Sequence, residues 1–273
     1  MEGFAGRRRW GSATAWACAL AVAFVPVSAG ATRDHRILSD MYVHLERGRS
    51  SFESGRWQEA SAQCDAILLT GTVRYEVQFE GRAIHAEERA RRAIDEAVAM
   101  WSDVADDVVF EEVSGRGYGW VGFSGPPAGR SRTAVEVVIV FSPDGRRGNS
   151  PSAGHIAWQR WVGPLPQGGF GARVQARIDI RTELPGGQVP MNLAQMRHAV
   201  AHEIGHLLGL DDSPSVGDVM GPLDLARPAT EPSFEEALAL RELRAAARHI
   251  RLRSLLSALS EGGRYNLWRV ASR

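Results

Sequence analysis

The stretch His202-Glu203-Ile204-Gly205-His206-Leu207-Leu208-Gly209-Leu210-Asp211-Asp212 constrains this chain more than any other. His202 and His206 are four residues apart, so on an α-helix they stand on one face about a turn apart. Two neutral imidazoles at that spacing can hold one zinc ion without distorting the backbone. Glu203 is rotated by roughly 100° from His202. Its carboxylate therefore lies beside such an ion rather than on it, where a base for a coordinated water belongs. Gly209 tolerates the left-handed conformation that ends a helix. The chain then turns back, and Asp212 falls where a third ligand is expected. The residues leave alternatives open: Asp211 as the ligand with Asp212 behind it, Glu235 or Glu236 in that role, or a core helix that merely carries two histidines.

This stretch resembles the long zinc-binding motif of the metzincin metallopeptidases, HExxHxxGxxH, with Asp212 in place of the last histidine. The aspartate form is similar to that of snapalysin-type bacterial proteases, and the wording from His202 to Leu210 is similar to matrixins. Metzincins also carry a methionine in a tight turn below the metal, and Met220, within Ser215 to Pro222, fits that Met-turn. The phrase Ala97-Val98-Ala99-Met100-Trp101-Ser102-Asp103-Val104 resembles the opening of matrixin catalytic domains. The resemblance thus runs from about residue 72 to the Met-turn.

It implies a zinc endopeptidase acting on polypeptide, with His202, His206 and Asp212 on Zn2+ and Glu203 as the catalytic base. It also implies that Gly154 to Arg160 forms the edge strand lining the cleft, and that a specificity pocket lies around Gly221 to Leu223. Two features depart from the family. Aspartate lowers the net charge at the metal, which makes a coordinated water less acidic, and it is shorter than histidine. The segment Asp144 to Asn149 has few carboxylates for the structural zinc and calcium that matrixins carry there. A non-catalytic or weakly active metal-binding interaction protein on the same fold is the alternative function. Glu203 favours the enzyme, because a purely structural site has no use for a base beside an open position.

The chain has 273 residues, with 32 Lys+Arg against 32 Asp+Glu, a balance that gives no support for a nucleic-acid partner. Residues 1–31 read as a signal peptide. Arg7, Arg8 and Arg9 precede an uncharged apolar run from Ala13 to Val25, and small residues follow around Ala29 and Ala31. The run is short for a membrane span. The mature chain is expected outside the cytoplasm, secreted or in the cell envelope, with no stable membrane insertion; an uncleaved anchor is the alternative. Cys18 falls within the signal, which leaves Cys64 without an intrachain disulfide partner. A core thiol and a zinc-blocking thiolate are its two possible roles.

The fold class expected is α+β, metzincin-like: a twisted, mixed five-stranded sheet with an active-site helix and a C-terminal helix, preceded by a short helical hairpin. Residues 32–69 carry apolar positions at helical spacing on both sides of Gly55, hence the hairpin. The pattern from Gly48 to Ala60 resembles one tetratricopeptide-type repeat. Whether this segment is a pro-segment, a docking module or a packing element is open. The catalytic domain is expected over 70–260. Its strands are read at Thr72–Phe79, Val108–Val113, Ala134–Phe141, Gly154–Trp161 and Arg173–Arg181. Its helices are read at Ala86–Trp101, from Asn192 with a capping box to Gln195, and from Ser233 to about Ser260. Gly115 to Arg132 reads as a loop, and 261–273 as a tail without chemical signal.

Overall fold

Alternation in Thr72-Val73-Arg74-Tyr75-Glu76-Val77-Gln78-Phe79 sends Val73 and Tyr75 to one side, and the stretch forms β1, with both residues buried. The structure, a computed structural model, describes residues 36–114, 133–144, 153–184 and 189–271, with side chains to 260. The expected signal over 1–31, most of the loop after Val113 and most of Asp144 to Asn149 lie outside the described residues. The remaining strands are β2 (Val109–Glu112), β3 (Thr133–Ser142), β4 (Gly154–Pro164) and β5 (Phe170–Arg181). The helices are α1 (Ser39–Glu53), α2 (Trp57–Leu68), α3 (Glu87–Trp101), α4 (Leu193–Leu208) and α5 (Phe234–Ala271).

The fold is α+β. One mixed sheet runs in the order β2-β1-β3-β5-β4, with β4 antiparallel to β5 and every other pair parallel. β4 is thus an edge strand. β3 is buried along most of its length: Val135, Val137, Ile139 and Phe141 enter the main core, while Val138 and Val140 are buried outside it. That explains its near-continuous apolar run. On β5, Val174, Ala176, Ile178 and Ile180 face the same core as α3 and α4. Trp101, at the end of α3, is 1% exposed and donates its indole N–H to the Ala201 carbonyl at 2.9 Å, joining α3 to α4.

The described residues form one compact unit. The hairpin contributes Met41, Leu45, Cys64, Ile67 and Leu68 to the same core as the sheet. Gly55 makes its turn at φ +74°. Cys64 is fully buried, its Sγ 3.4 Å from where a Cβ on Gly48 would stand; burial first, then the charge of Asp65, pushes its pKa up to about 12. It sits between α1 and α2 as a core thiol. Several boundaries differ from expectation: β4 runs on past Trp161 to Pro164, and β5 starts at Phe170, ahead of Arg173. A 3₁₀ turn, Gly81–Ala86, precedes α3. α5 continues through Ala271, where the sequence reads as a tail from 261. Gly262 and Gly263 each cost a helix about 1 kcal/mol relative to alanine, a penalty that weakens a helix without ending it. Among the described residues, no helix is long and apolar enough to cross a membrane.

Candidate metal centre

α4 starts where Asn192 accepts the Gln195 backbone N–H and Gln195 returns the bond to the Asn192 N–H, each at 2.9 Å. It ends at Gly209, which takes φ +118°. Between these caps, Met196, Val200, Ile204, Leu207 and Leu208 are buried, and this orients the opposite stripe with His202 and His206 toward a cleft.

The two imidazoles are held by backbone. His202 Nδ1 lies 3.0 Å from the Val219 carbonyl, and His206 Nδ1 lies 2.9 Å from the Leu210 carbonyl. A carbonyl only accepts, so each Nδ1 carries the proton and a neutral ring keeps its lone pair on Nε2. Both Nε2 atoms face Asp212 Oδ1, at 3.2 Å from His202 and 3.3 Å from His206. All three ligand atoms lie within 4.8 Å of one another. Donors around a tetrahedral zinc at about 2.0–2.1 Å stand about 3.3 Å apart. Donor type, ring orientation and the two distances to Asp212 therefore fit such an ion.

The electrostatics mostly favour the ligand forms. The hydrogen bond from His202 holds the Asp212 carboxyl below its usual range, against the effect of burial. Burial and the charge of His202 push the His206 pKa down. At His202, burial opposes protonation but is outweighed by Asp212 and Glu203, so its pKa is raised. A cation would compete with that proton. Glu203 is 3% exposed; burial pushes its carboxyl up to about 7, opposed by His202 and assisted by Asp212 and Asp179. A Cβ on Gly154 would stand 2.6 Å from Glu203 Oε1, so only glycine at the start of β4 leaves room for this carboxylate.

The structure also places the rival ligands. Asp211 Oδ1 accepts the Asp212 backbone N–H at 2.9 Å. Glu235 is exposed. Glu236 is 1% exposed and accepts backbone N–H groups from Met220 at 2.6 Å, Ser233 at 2.7 Å and Val219 at 3.3 Å. It fastens the Met220 turn to the start of α5 and is not part of the His202, His206 and Asp212 group. Met220 is 1% exposed under α4, and a Cβ on Gly205 would overlap its Sδ. His155 lies on β4 outside the same group.

The group opens on a cleft of about 500 Å³, walled by Gly154, Met191, His198, Pro222 and Leu223 among others. His198 is one turn before His202. Its Nδ1 accepts the Ala229 backbone N–H at 3.0 Å, and burial, reinforced by the charge of His202, pushes its pKa down to about 4. Sequence reasoning passed over it, although the four-residue spacing from His202 was a signal. Trp158 of β4 stacks on the His206 ring, with centroids 6.1 Å apart and planes at 20°. No family model matches the chain, and no curated protein matches it. The functional reading therefore rests on the residues themselves.

Proposed function

We propose that this chain is an exported zinc endopeptidase of the metzincin type. The observation that carries the reading is the convergence of His202 Nε2 and His206 Nε2 on Asp212 Oδ1, at 3.2 and 3.3 Å, with the buried Glu203 carboxylate beside them. His202, His206 and Asp212 would hold the metal. When bound, zinc acts as a Lewis acid that lowers the pKa of a coordinated water and polarises a carbonyl.

The protein's own groups perform the rest. The β4 edge offers a strand to which an extended polypeptide can add by main-chain hydrogen bonds. The cleft walls receive a side chain and exclude bulk water. Glu203 accepts a proton from the attacking water as its oxygen bonds to the scissile carbonyl carbon. As the C–N bond breaks, Glu203 returns that proton to the departing amine. The mixed sheet, the capped α4 and the buried methionine beneath it support the metzincin assignment, as does the wording of the motif.

Casein incubated with the purified chain tests the proposal. Cleavage that stops with a chelator and returns with Zn2+ is expected, together with loss of bound zinc in Asp212→Ala but not in a folded Glu236→Ala. A zinc-loaded protein that leaves casein and unfolded peptides intact would move the non-catalytic interaction reading ahead.

A further inference from the structure

The residues just ahead of α1 run alongside the loop that leaves α4. Leu38 N–H donates to the Gly209 carbonyl at 2.9 Å, Asp211 N–H donates to the Arg36 carbonyl at 2.7 Å, and Ile37 forms an antiparallel bridge with Leu210. The bonds flank Leu210, whose carbonyl meets His206 Nδ1, and they stop one residue short of Asp212. Met41 closes over the same point, since a Cβ on Gly209 would stand 2.9 Å from Met41 Cε.

A second anchor lies two residues after Leu38, at Asp40 in the first turn of α1. Asp40 Oδ2 accepts from Arg160 Nη1 at 2.8 Å and from Trp158 Nε1 at 3.2 Å. The side chain of Arg160 is 1% exposed, and its Nη2 donates to the Leu207 carbonyl at 2.9 Å, one of the carbonyls that α4 itself leaves without a helical partner. Trp158, held from Asp40, is the ring stacked on His206. By contrast, the Asp212 side chain is 74% exposed. Packing does not place its carboxylate; the path of the backbone brings it within reach of the two imidazoles that meet it.

We propose that Arg36 to Asp40 are positioning residues for the metal centre, clamping the end of α4 so that Asp212 stands opposite His202 and His206. The N-terminal hairpin is then a permanent part of the site, and its removal inactivates the protein instead of activating it. This inference rests on the metal-centre reading above. Groups that orient metal ligands change affinity by about 10–100-fold when removed.

Leu38 permits the test. Its φ of −52° and ψ of 135° suit proline, and Leu38→Pro deletes the N–H donated to Gly209 while its ring Cδ, standing where the hydrogen was, pushes that carbonyl away, so both effects release the clamp. Leu38→Ala keeps the N–H and loses the side chain. Zn2+ affinity of the full chain would be measured by competition with a chromophoric chelator, beside a urea midpoint for each variant. We expect Leu38→Pro to bind Zn2+ about ten-fold more weakly than Leu38→Ala, and Asp40→Asn to fall by a similar factor from wild type. A purely structural role would lower the urea midpoints and leave the affinity of the folded protein unchanged, and that result would overturn the clamp. Amide exchange at Asp211, read with chelator present, keeps two failures apart. A wild type that binds no Zn2+ refutes the metal-centre reading. Equal protection of Asp211 in Leu38→Pro and Leu38→Ala refutes the clamp, whatever the metal does.

Discussion

Gly205 and Met220 share one space, and substituting both shows whether the turn beneath α4 acts as a support for the histidines. A Cβ on Gly205 would overlap Met220 Sδ and stand 3.2 Å from Met220 Cε and 3.0 Å from Trp101 Cζ2. Trp101 is fixed by its bond to Ala201, so the methionine must give way. Overpacking of a buried site costs about 1–3 kcal/mol, and this overlap belongs at the top of that range. Alanine recovers about 1 kcal/mol over glycine within a helix, which leaves Gly205→Ala destabilised by about 2 kcal/mol. Met220→Ala opens a cavity and costs about 3 kcal/mol. In the double variant the new methyl occupies part of the vacated space and its strain disappears. The pair should therefore cost about 3 kcal/mol less than the sum of the singles. Urea unfolding of the chelated protein measures this, provided the slope with denaturant is unchanged. Because Val219, the neighbour of Met220, carries the carbonyl that orients His202, Gly205→Ala should also weaken Zn2+ binding. Additive singles would refute the shared-space argument.

Three further outcomes follow from the geometry. Cys64, with its pKa near 12, should resist iodoacetamide at pH 8 about a thousand-fold more than an ordinary thiol and react fully only in denaturant. Glu236→Gln keeps the side-chain volume but turns one acceptor into a donor facing backbone N–H groups; a loss of about 3 kcal/mol is expected by urea titration of the chelated protein, with zinc retained by the folded variant. Burial disfavours the Asp107 charge, but the hydrogen bond from Arg248 and the charge of Arg244 outweigh it, so its pKa lies below the ordinary 3.8. Below pH 3.8 the unfolded chain takes up that proton first. The contribution of Asp107, on the order of 1 kcal/mol at a site this open, is complete above pH 4 and lost as pH falls through its folded value. The urea midpoints of wild type and Asp107→Asn, separated at pH 6, should draw together as pH falls below 3.8.

Much of this arrangement is written in local pattern, and what is not local is hidden. Period-two alternation located β1 and β5, the apolar run located β3, and the Asn192–Gln195 capping box marked the start of α4. Each depends on neighbours in the chain. His202, Glu203 and His206 were legible because helical spacing alone brings two imidazoles to one face. Sheet order was not legible, since parallel pairing of β1 with β3 and of β3 with β5 joins segments far apart in sequence. The same holds for groups that act at long range. Glu236 reads as a helix cap or a rival ligand, and nothing local reveals that it holds the turn containing Met220. Gly154 reads as a strand glycine, and its place against Glu203 spans 49 residues. Arg36 to Asp40 read as the edge of a polar preface, whereas their partners lie on β4 and beyond α4.

The most direct test of the central claim is Glu203→Gln, a substitution that preserves shape and removes only the base. Casein hydrolysis and bound zinc would be measured on the same preparation, beside wild type. Equal zinc content in both proteins is expected, together with a loss of activity of at least about a hundred-fold in the variant. A zinc-loaded Glu203→Gln that cleaves casein as fast as wild type would contradict it.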